Sequence, residues 1–268
     1  MIEESVLTGI ILGAIQGILE WLPVSSEGNI TVILTALGRS PATAVSLALF
    51  LHLGTAVSAS VYYRRELWAV FGDVWKTRTT VESTTPVVFY FIATVTSGVV
   101  GIAAYASLVE FVTALTGSAI VICIGVLLIA MGVFQAVTST VSSDETREPT
   151  VGDAVLVGIA QGVAILPGVT RSGMTTGTLL LRGHDGPAAF RYSFILSIPA
   201  ALGGGLLGGL ETGISGFAFS AALAAFVTAA LVGLVSIEFL IRIVERIAFS
   251  VVCLLLGTAT VIGGVLVL

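Results

Sequence analysis

From Ser5 to Leu37 the chain reads SVLTGIILGAIQGILEWLPVSSEGNITVILTAL. Ser5–Leu22 has the pattern of an apolar helix, but Pro23 cannot continue it, and the polar run Ser25-Ser26-Glu27-Gly28-Asn29 follows. The apolar return, Ile30–Leu37, covers only about 12 Å at the helical rise, against a hydrocarbon core of about 30 Å. A helix that enters, breaks at polar residues and comes back short predicts a re-entrant hairpin over residues 5–38. Unwound backbone is tolerated at membrane depth only where it is buried in protein or lines a watery cavity.

The same pattern recurs once. Over residues 151–182 an apolar helix breaks at Pro167-Gly168, runs through Thr170-Arg171-Ser172-Gly173 and returns as a short apolar piece. Gln16-Gly17 and Gln161-Gly162 are 145 positions apart, as are Gly28 and Gly173. Six longer apolar runs complete the chain, at residues 43–62, 86–106, 118–137, 188–210, 216–240 and 247–268. Each hairpin is followed by three of them, and an odd number of crossings inverts the second copy. The expected fold is an all-α integral membrane protein of two inverted repeats, residues 1–145 and 146–268, each a re-entrant hairpin plus three transmembrane helices. Substrate sites in such proteins lie near the midplane, beside the broken helices.

Composition agrees. Of 268 residues, 56% are hydrophobic and 10% charged, and the mean hydropathy is +1.09; soluble domains carry about 25% charged residues. Eleven basic against 16 acidic residues leave no basic face for nucleic acid. The runs lack the alternation of barrel strands. The start carries no positive residue, so no cleaved secretory signal is expected, and the longest polar stretch is Tyr63–Thr85. Cys123 and Cys253 lie in apolar runs without a CxxC pattern and read as packing residues. On this topology one face holds Arg64, Arg65, Lys76, Arg78, Arg147, Arg182, Arg191, Arg242 and Arg246, and the other only Arg39. The positive-inside rule puts the first face in the cytoplasm. Both termini and the mouth of the first hairpin then face outside.

Ionisable residues inside membrane segments are costly and mark function. They are Glu20, Glu27, His52, Arg171 and Glu238. Gln16 and Glu20 share a helix face just before the Pro23 break, and inverted symmetry would bring the two tips, and so Glu20 and Arg171, together. A loop rich in glycine and hydroxyls that opens a half-helix offers free N–H groups and a positive dipole end. Arg171 adds a planar, permanently charged fork for phosphate oxygens. A carboxylate beside such an anion site needs a proton to move or a cation to hold. The residues therefore point to phosphate chemistry on a membrane-embedded substrate. His52 reads as hydrogen-bonded within its span, and His184, beside Asp185 and Gly186, as solvated. Glu238 reads as structural with Arg242, and the Gly203–Gly209 glycines as helix-packing positions.

The stretches QGILEWLPVSSEGN (Gln16–Asn29), FLHLGT (Phe50–Thr55), QGVAILPGVTRSGMTTG (Gln161–Gly177) and YSFILSIPAALG (Tyr192–Gly203) resemble the undecaprenyl-diphosphate phosphatase, or bacitracin-resistance, family, in order along the whole chain. The resemblance implies release of phosphate from a polyprenyl diphosphate at the outer face of the plasma membrane, recycling a lipid carrier, with a divalent cation (Mg²⁺ or Ca²⁺). It implicates Glu20, Ser26 and Arg171 in catalysis. Gln16, Ser25, Glu27, Gly28, Asn29, Thr170, Ser172, Gly173 and Thr175 are then expected around the phosphates, with Glu20 and Glu27 as cation ligands. The bilayer and the lipid are the expected partners, and the architecture allows a homodimer. Three positions depart from the family. The E-x-x-x-E pattern reads Gln16-x-x-x-Glu20, the S-S-(S/T)-G-H tip reads Ser25-Ser26-Glu27-Gly28-Asn29, and Thr170 replaces a serine. Either Ser26 attacks the terminal phosphorus with Glu20 as general base, or a water activated by Glu20 or a bound cation does so. A transporter of polyprenyl phosphate or another anionic lipid is the alternative built on the same anion site, and a non-catalytic scaffold ranks behind both.

Overall fold

The computed structural model describes residues 6–72, 85–141, 147–211, 218–244 and 248–266. Lys76, Arg78 and Arg246 of the charge count, and the expected span ends at 216–217, 247 and 267–268, lie outside them.

Among the described residues the chain is all helix: α1 (Val6–Leu19), α2 (Ser26–Ala36), α3 (Pro41–Tyr62), α4 (Arg64–Gly72), α5 (Pro86–Ala114), α6 (Gly117–Thr138), α7 (Val151–Val163), α8 (Arg171–Leu181), α9 (Gly186–Glu211), α10 (Phe219–Val244) and α11 (Phe249–Leu266). Six of these, α3, α5, α6, α9, α10 and α11, are long and apolar enough to cross a membrane. The helices α1, α2, α7 and α8 are 14, 11, 13 and 11 residues long. Several boundaries differ from the sequence reading: α1 ends at Leu19, α2 begins at Ser26, and α10 runs to Val244. Helix α5 runs eight residues past 106, to Ala114, because nothing between Ala106 and Ala114 breaks a helix. The polar stretch after Tyr63 begins with a helix, α4, whose exposed Trp68 suits a membrane–water boundary.

Lipid tails are as apolar as leucine, so helices in a bilayer associate through close packing of small residues. The glycines obey this. Gly9, Gly13 and Gly17 of α1 sit against the backbone of α10 around Ala221, Ala225 and Ala229. Gly158 and Gly162 of α7 pack on Ala93, Thr96 and Val100 of α5. Gly125 and Gly132 of α6 face Gly257 and Ser250 of α11, and Gly205 and Gly208 of α9 face α3. The first short helix is thus held by α10 and the third by α5, each by a long helix from the other half of the chain. Between α1, α2, α3 and α10 lies a core of Leu12, Ile30, Leu34, Leu47, Leu51 and the α10 alanines. Trp21 belongs to a separate core with Ala59, Phe194 and Ile237, and its indole N–H donates to the Gly233 carbonyl at 3.1 Å.

Candidate active site

Both breaks are built to bring helix N-termini together. Thr170 caps α8, accepting from the Gly173 amide at 3.1 Å. Ser25 caps α2 and accepts from the Gly28 amide at 3.2 Å and, across the interface, from the Gly168 amide at 3.0 Å. One hydroxyl therefore ties the two breaks. Ser25 adopts φ 57, the left-handed region that is costly for a residue with a Cβ, and Gly168 adopts φ +100. The Asn29 amide supports this turn by donating to the Val24 and Ser25 carbonyls at 2.7 and 2.9 Å. From α6, Gln135 donates to the Pro23 carbonyl at 2.9 Å, and the Cys253 thiol donates to the same oxygen at 3.1 Å.

Glu20, almost fully buried, is the centre of the arrangement. Its Oε1 accepts from Arg171 Nη2 at 2.6 Å. Its Oε2 accepts from the Gln16 amide and the Ser26 hydroxyl, each at 2.9 Å, and lies 3.2 Å from His52 Nε2. Nδ1 of His52 faces the Ala48 and Leu49 carbonyls at 3.0 and 3.3 Å, both acceptors, so Nδ1 carries a hydrogen. The contact between Nε2 and Oε2 then needs a proton between them. His52 was expected to satisfy itself inside its own span; it does so with one nitrogen and gives the other to Glu20.

A small polar pocket lies over this group, lined by Glu20, Ser25, Ser26, Glu27, His52, Thr170, Arg171 and Ser172. Ser26 and Arg171 open α2 and α8, so the first amides of both helices, which have no partner within the helix, stand at the pocket. Arg171 Nη1 and Glu27 Oε1 are buried without a hydrogen-bond partner among the described residues. The arrangement offers a half-used guanidinium fork and two helix N-termini for an anion, and a hydroxyl donating to a carboxylate at its edge. Glu27, His52, Ala164 and Arg171 also line a second, largely apolar cavity of about 370 Å³.

Several expected phosphate contacts fall elsewhere. Thr175 is fully buried, with its hydroxyl 2.6 Å from Ser193 of α9 and donating to the Arg171 carbonyl at 2.9 Å, so it braces α8 and does not reach the pocket. Asn29 turns back onto its own break. Gly28 and Gly173 are needed for close approach: a Cβ on Gly28 would lie 2.7 Å from the Gly168 nitrogen, and one on Gly173 would collide with Thr170 Oγ1. Gln16 reaches the site only through Glu20.

A second polar cluster sits at the far ends of α7 and α8, outside the six long helices. Asp153, fully buried, accepts from Arg182 Nε at 2.6 Å, from the Thr150 amide and hydroxyl at 2.8 and 2.9 Å, and more loosely from Arg147 at 3.4 Å. Burial pushes its carboxyl up, but the hydrogen bonds from Arg182, Thr150 and His184 outweigh this and hold it at about 2. His184, expected to be solvated, is instead fully buried with Nε2 3.3 Å from Asp153, because the turn after α8 folds onto the start of α7. Glu238 and Arg242 pair on the surface of α10, one helical turn apart.

Short helices that break at polar residues, six long apolar helices and a buried glutamate–arginine pair beside free helix N-termini define a polytopic membrane protein with a polar pocket at its broken helices. The chain belongs to the family described as bacitracin resistance protein BacA, which it matches over residues 9–259. Among curated proteins it is 42% identical over 265 residues to a protein named undecaprenyl-diphosphatase from Haloarcula marismortui, covering 98% of each chain. Proteins of the same name from Methanococcoides burtonii and Methanopyrus kandleri are each 37% identical, covering 96% of this chain and 98% and 95% of theirs.

Proposed function

We propose that this protein hydrolyses undecaprenyl diphosphate, or a polyprenyl diphosphate of that kind, to the monophosphate and inorganic phosphate. The observation that carries the reading is Glu20, held between Arg171 and the Ser26 hydroxyl in a polar pocket that opens onto an apolar cavity. That is the shape of a charged headgroup with a prenyl tail. The transport alternative is not favoured, since the relatives bear the name of a phosphatase.

The Ser26–Glu20 hydrogen bond favours the serine as nucleophile. Ser26 Oγ bonds to the terminal phosphorus, the bond from that phosphorus to the bridging oxygen breaks, and polyprenyl monophosphate leaves. Glu20 takes the hydroxyl proton. Water then attacks the phosphoserine, Glu20 returns its proton to Oγ as that bond breaks, which restores the Glu20 carboxylate, and both protons of the water leave on the released phosphate. Arg171 Nη1 and the amides opening α2 and α8 stabilise the equatorial oxygens. His52 and Gln16 fix the Glu20 carboxylate in line with Ser26 and Arg171.

A divalent cation does not fit at Glu20, whose oxygens already carry a guanidinium, an amide, a hydroxyl and an imidazole contact. It fits at Glu27, whose Oε1 has no partner among the described residues and lies beside the pocket. Mg²⁺ is commonly held by one or two carboxylates plus substrate phosphates. There a cation would offset diphosphate charge.

The packing supports the inverted-repeat reading. Helices α1, α2, α3, α5 and α6 correspond to α7, α8, α9, α10 and α11, and the contact of α1 with α10 has its counterpart in α7 with α5. On that reading α1–α2 and α7–α8 are re-entrant hairpins, the basic face is cytoplasmic, and the site opens outward from the plasma membrane. The test is phosphate release from a C55 polyprenyl diphosphate in detergent, with acid quenching and mass spectrometry of the Ser26 peptide. Release that Ser26→Ala abolishes, with a trapped phosphoserine in the parent, is expected. Release that survives Ser26→Ala assigns the attack to water.

A further inference from the structure

The apolar cavity has walls that helix packing does not explain. Most glycines in this chain hold helices together, and a Cβ on Gly13, Gly158 or Gly205 would meet a neighbouring helix within 3 Å. Along the faces of α5 and α9 that line the cavity the rule fails. A Cβ on Gly98 or Gly203 meets nothing within 4 Å, and one on Gly101 or Gly204 meets only ordinary contacts at 3.8 and 3.6 Å. The Gly203–Gly209 run expected to pack is therefore divided: Gly205 and Gly208 pack tightly on α3, while Gly203 faces open space and Gly204 would meet α3 only at ordinary contact distance, 3.6 Å from Leu49. The two halves of the chain also differ here. Helix α10 packs along α3, but its counterpart α5 touches α9 only lightly, and the cavity fills the gap.

One end of the gap is polar and the other lipidic. Glu27, His52 and Arg171 form the inner end, shared with the polar pocket. Leu206, Leu210 and Ile102 form the outer end and are well exposed on the surface that faces lipid. Among the described residues, two carbonyl-type oxygens that line the cavity are more than nine-tenths buried and without a partner: Glu27 Oε1 and Gln161 Oε1. Gln161 donates to the Ser97 hydroxyl at 3.2 Å. That hydroxyl can donate as well as accept, so Gln161 can turn either its oxygen or its NH₂ to a ligand without losing Ser97.

We infer that the prenyl tail of the substrate leaves the polar pocket sideways through the cleft between α5 and α9, along Gly98, Gly101, Gly203 and Gly204, with Gln161 at its neck beside the inner phosphate. The inference rests on the phosphatase reading for its ligand. Glycine at these positions keeps the cleft wide enough for methyl-branched chain, and its opening on the lipid face lets the tail stay in the bilayer while the headgroup reacts. A second apolar groove, of about 430 Å³ between α5 and α6, is lined by Leu108, Phe111, Cys123, Leu127 and Pro167 and shares no residue with the polar pocket.

Gly98→Leu and Gly203→Leu, singly and together in the full chain, test this. On a C55 polyprenyl diphosphate kcat/KM is expected to fall at least about tenfold in the double variant, the equivalent of losing burial of roughly two methylenes. On isopentenyl diphosphate it should change less than about twofold. Gly263→Leu, at an open position on α11 away from both cavities, is the control and should leave both rates as they are. An equal loss on both substrates in folded protein, or no loss on the long one, overturns the inference. A parent that releases phosphate from neither substrate defeats the phosphatase reading instead. The cleft is then judged by photolabelling the parent with a polyprenyl phosphate carrying a diazirine in its first isoprene units. Label in the peptides around residues 98–102 and 203–207 supports the cleft, and label confined to the α5–α6 groove refutes it.

Discussion

Replacing Glu20 by glutamine keeps the shape of the side chain and removes its charge. Whichever oxygen becomes NH₂ then faces groups that themselves donate, Arg171 at the Oε1 position or Gln16 and Ser26 at the Oε2 position. Arg171, only 13% exposed, then loses its counter-ion. Breaking a buried pair from one side costs about 3–5 kcal/mol, because a charge is left uncompensated. Loss of a general base costs about 10²–10⁴ in rate. Both numbers are expected for Glu20→Gln, the first as a lower melting temperature in detergent and the second as slower phosphate release. Arg171→Gln should show comparable losses. The double variant strands no charge, so it should be more stable than either single variant and no slower than the worse of them. Such a cycle gives a coupling of about 2–3 kcal/mol between contacting residues of one network. If the two rate losses multiply and the two stability losses add, Glu20 and Arg171 do not act as one unit and the proposed chemistry loses its centre.

Asp153, held near 2 rather than the usual 3.8, stabilises the fold fully above about pH 4, and that contribution is lost as pH falls towards 2. It amounts to less than about 2 kcal/mol, because Arg147 and Arg182 are partly in water; an acid melt flattened in Asp153→Asn checks it. Gly158→Val, whose Cβ would lie 2.7 Å from the Ala93 carbonyl, should prevent α7 from seating on α5, and the yield of monodisperse protein measures this directly. Asn29→Ala removes both props under the strained Ser25 turn and should lower stability by about 1–3 kcal/mol, whereas Asn29→His, which cannot make the same pair of bonds, should not raise activity. Titrating Mg²⁺ after chelation should show that Glu27→Gln needs more cation for half-maximal rate; an unchanged requirement moves the cation off Glu27.

Glu20 and Arg171 could be picked from the sequence because an ion in an apolar run has few reasons to be there. The breaks at Pro23 and Pro167 could be placed because proline and polar residues cannot continue a helix in lipid. His52 could not be placed: a lone histidine in a span satisfies its own helix in most registers, and its second nitrogen meets Glu20 only after α3 packs beside α1. His184 reads as solvated for a related reason, since its burial depends on Asp153, 31 residues upstream. Gln135 carried no signal at all, being one amide in α6 whose acceptor, the Pro23 carbonyl, exists only because the first helix breaks there. The glycines posed the opposite difficulty: those that hold helices together and those that line the cleft look alike until the neighbouring helix is in place.

The exchange of partners between the halves has a consequence for how the chain is made. The helix that seats α7 is α5, already synthesised when α7 leaves the ribosome; the helix that seats α1 is α10, more than 200 residues later. The second unit can dock as soon as it emerges, while the first must wait about 200 residues for the helix that seats it. A chain arrested at Glu211 should therefore leave α1 open to protease while α7 is already protected, and equal protection of the two would contradict that order. Quality control of nascent chains would accordingly find its substrate at the amino-terminal end, the first part to be born and the last to be finished.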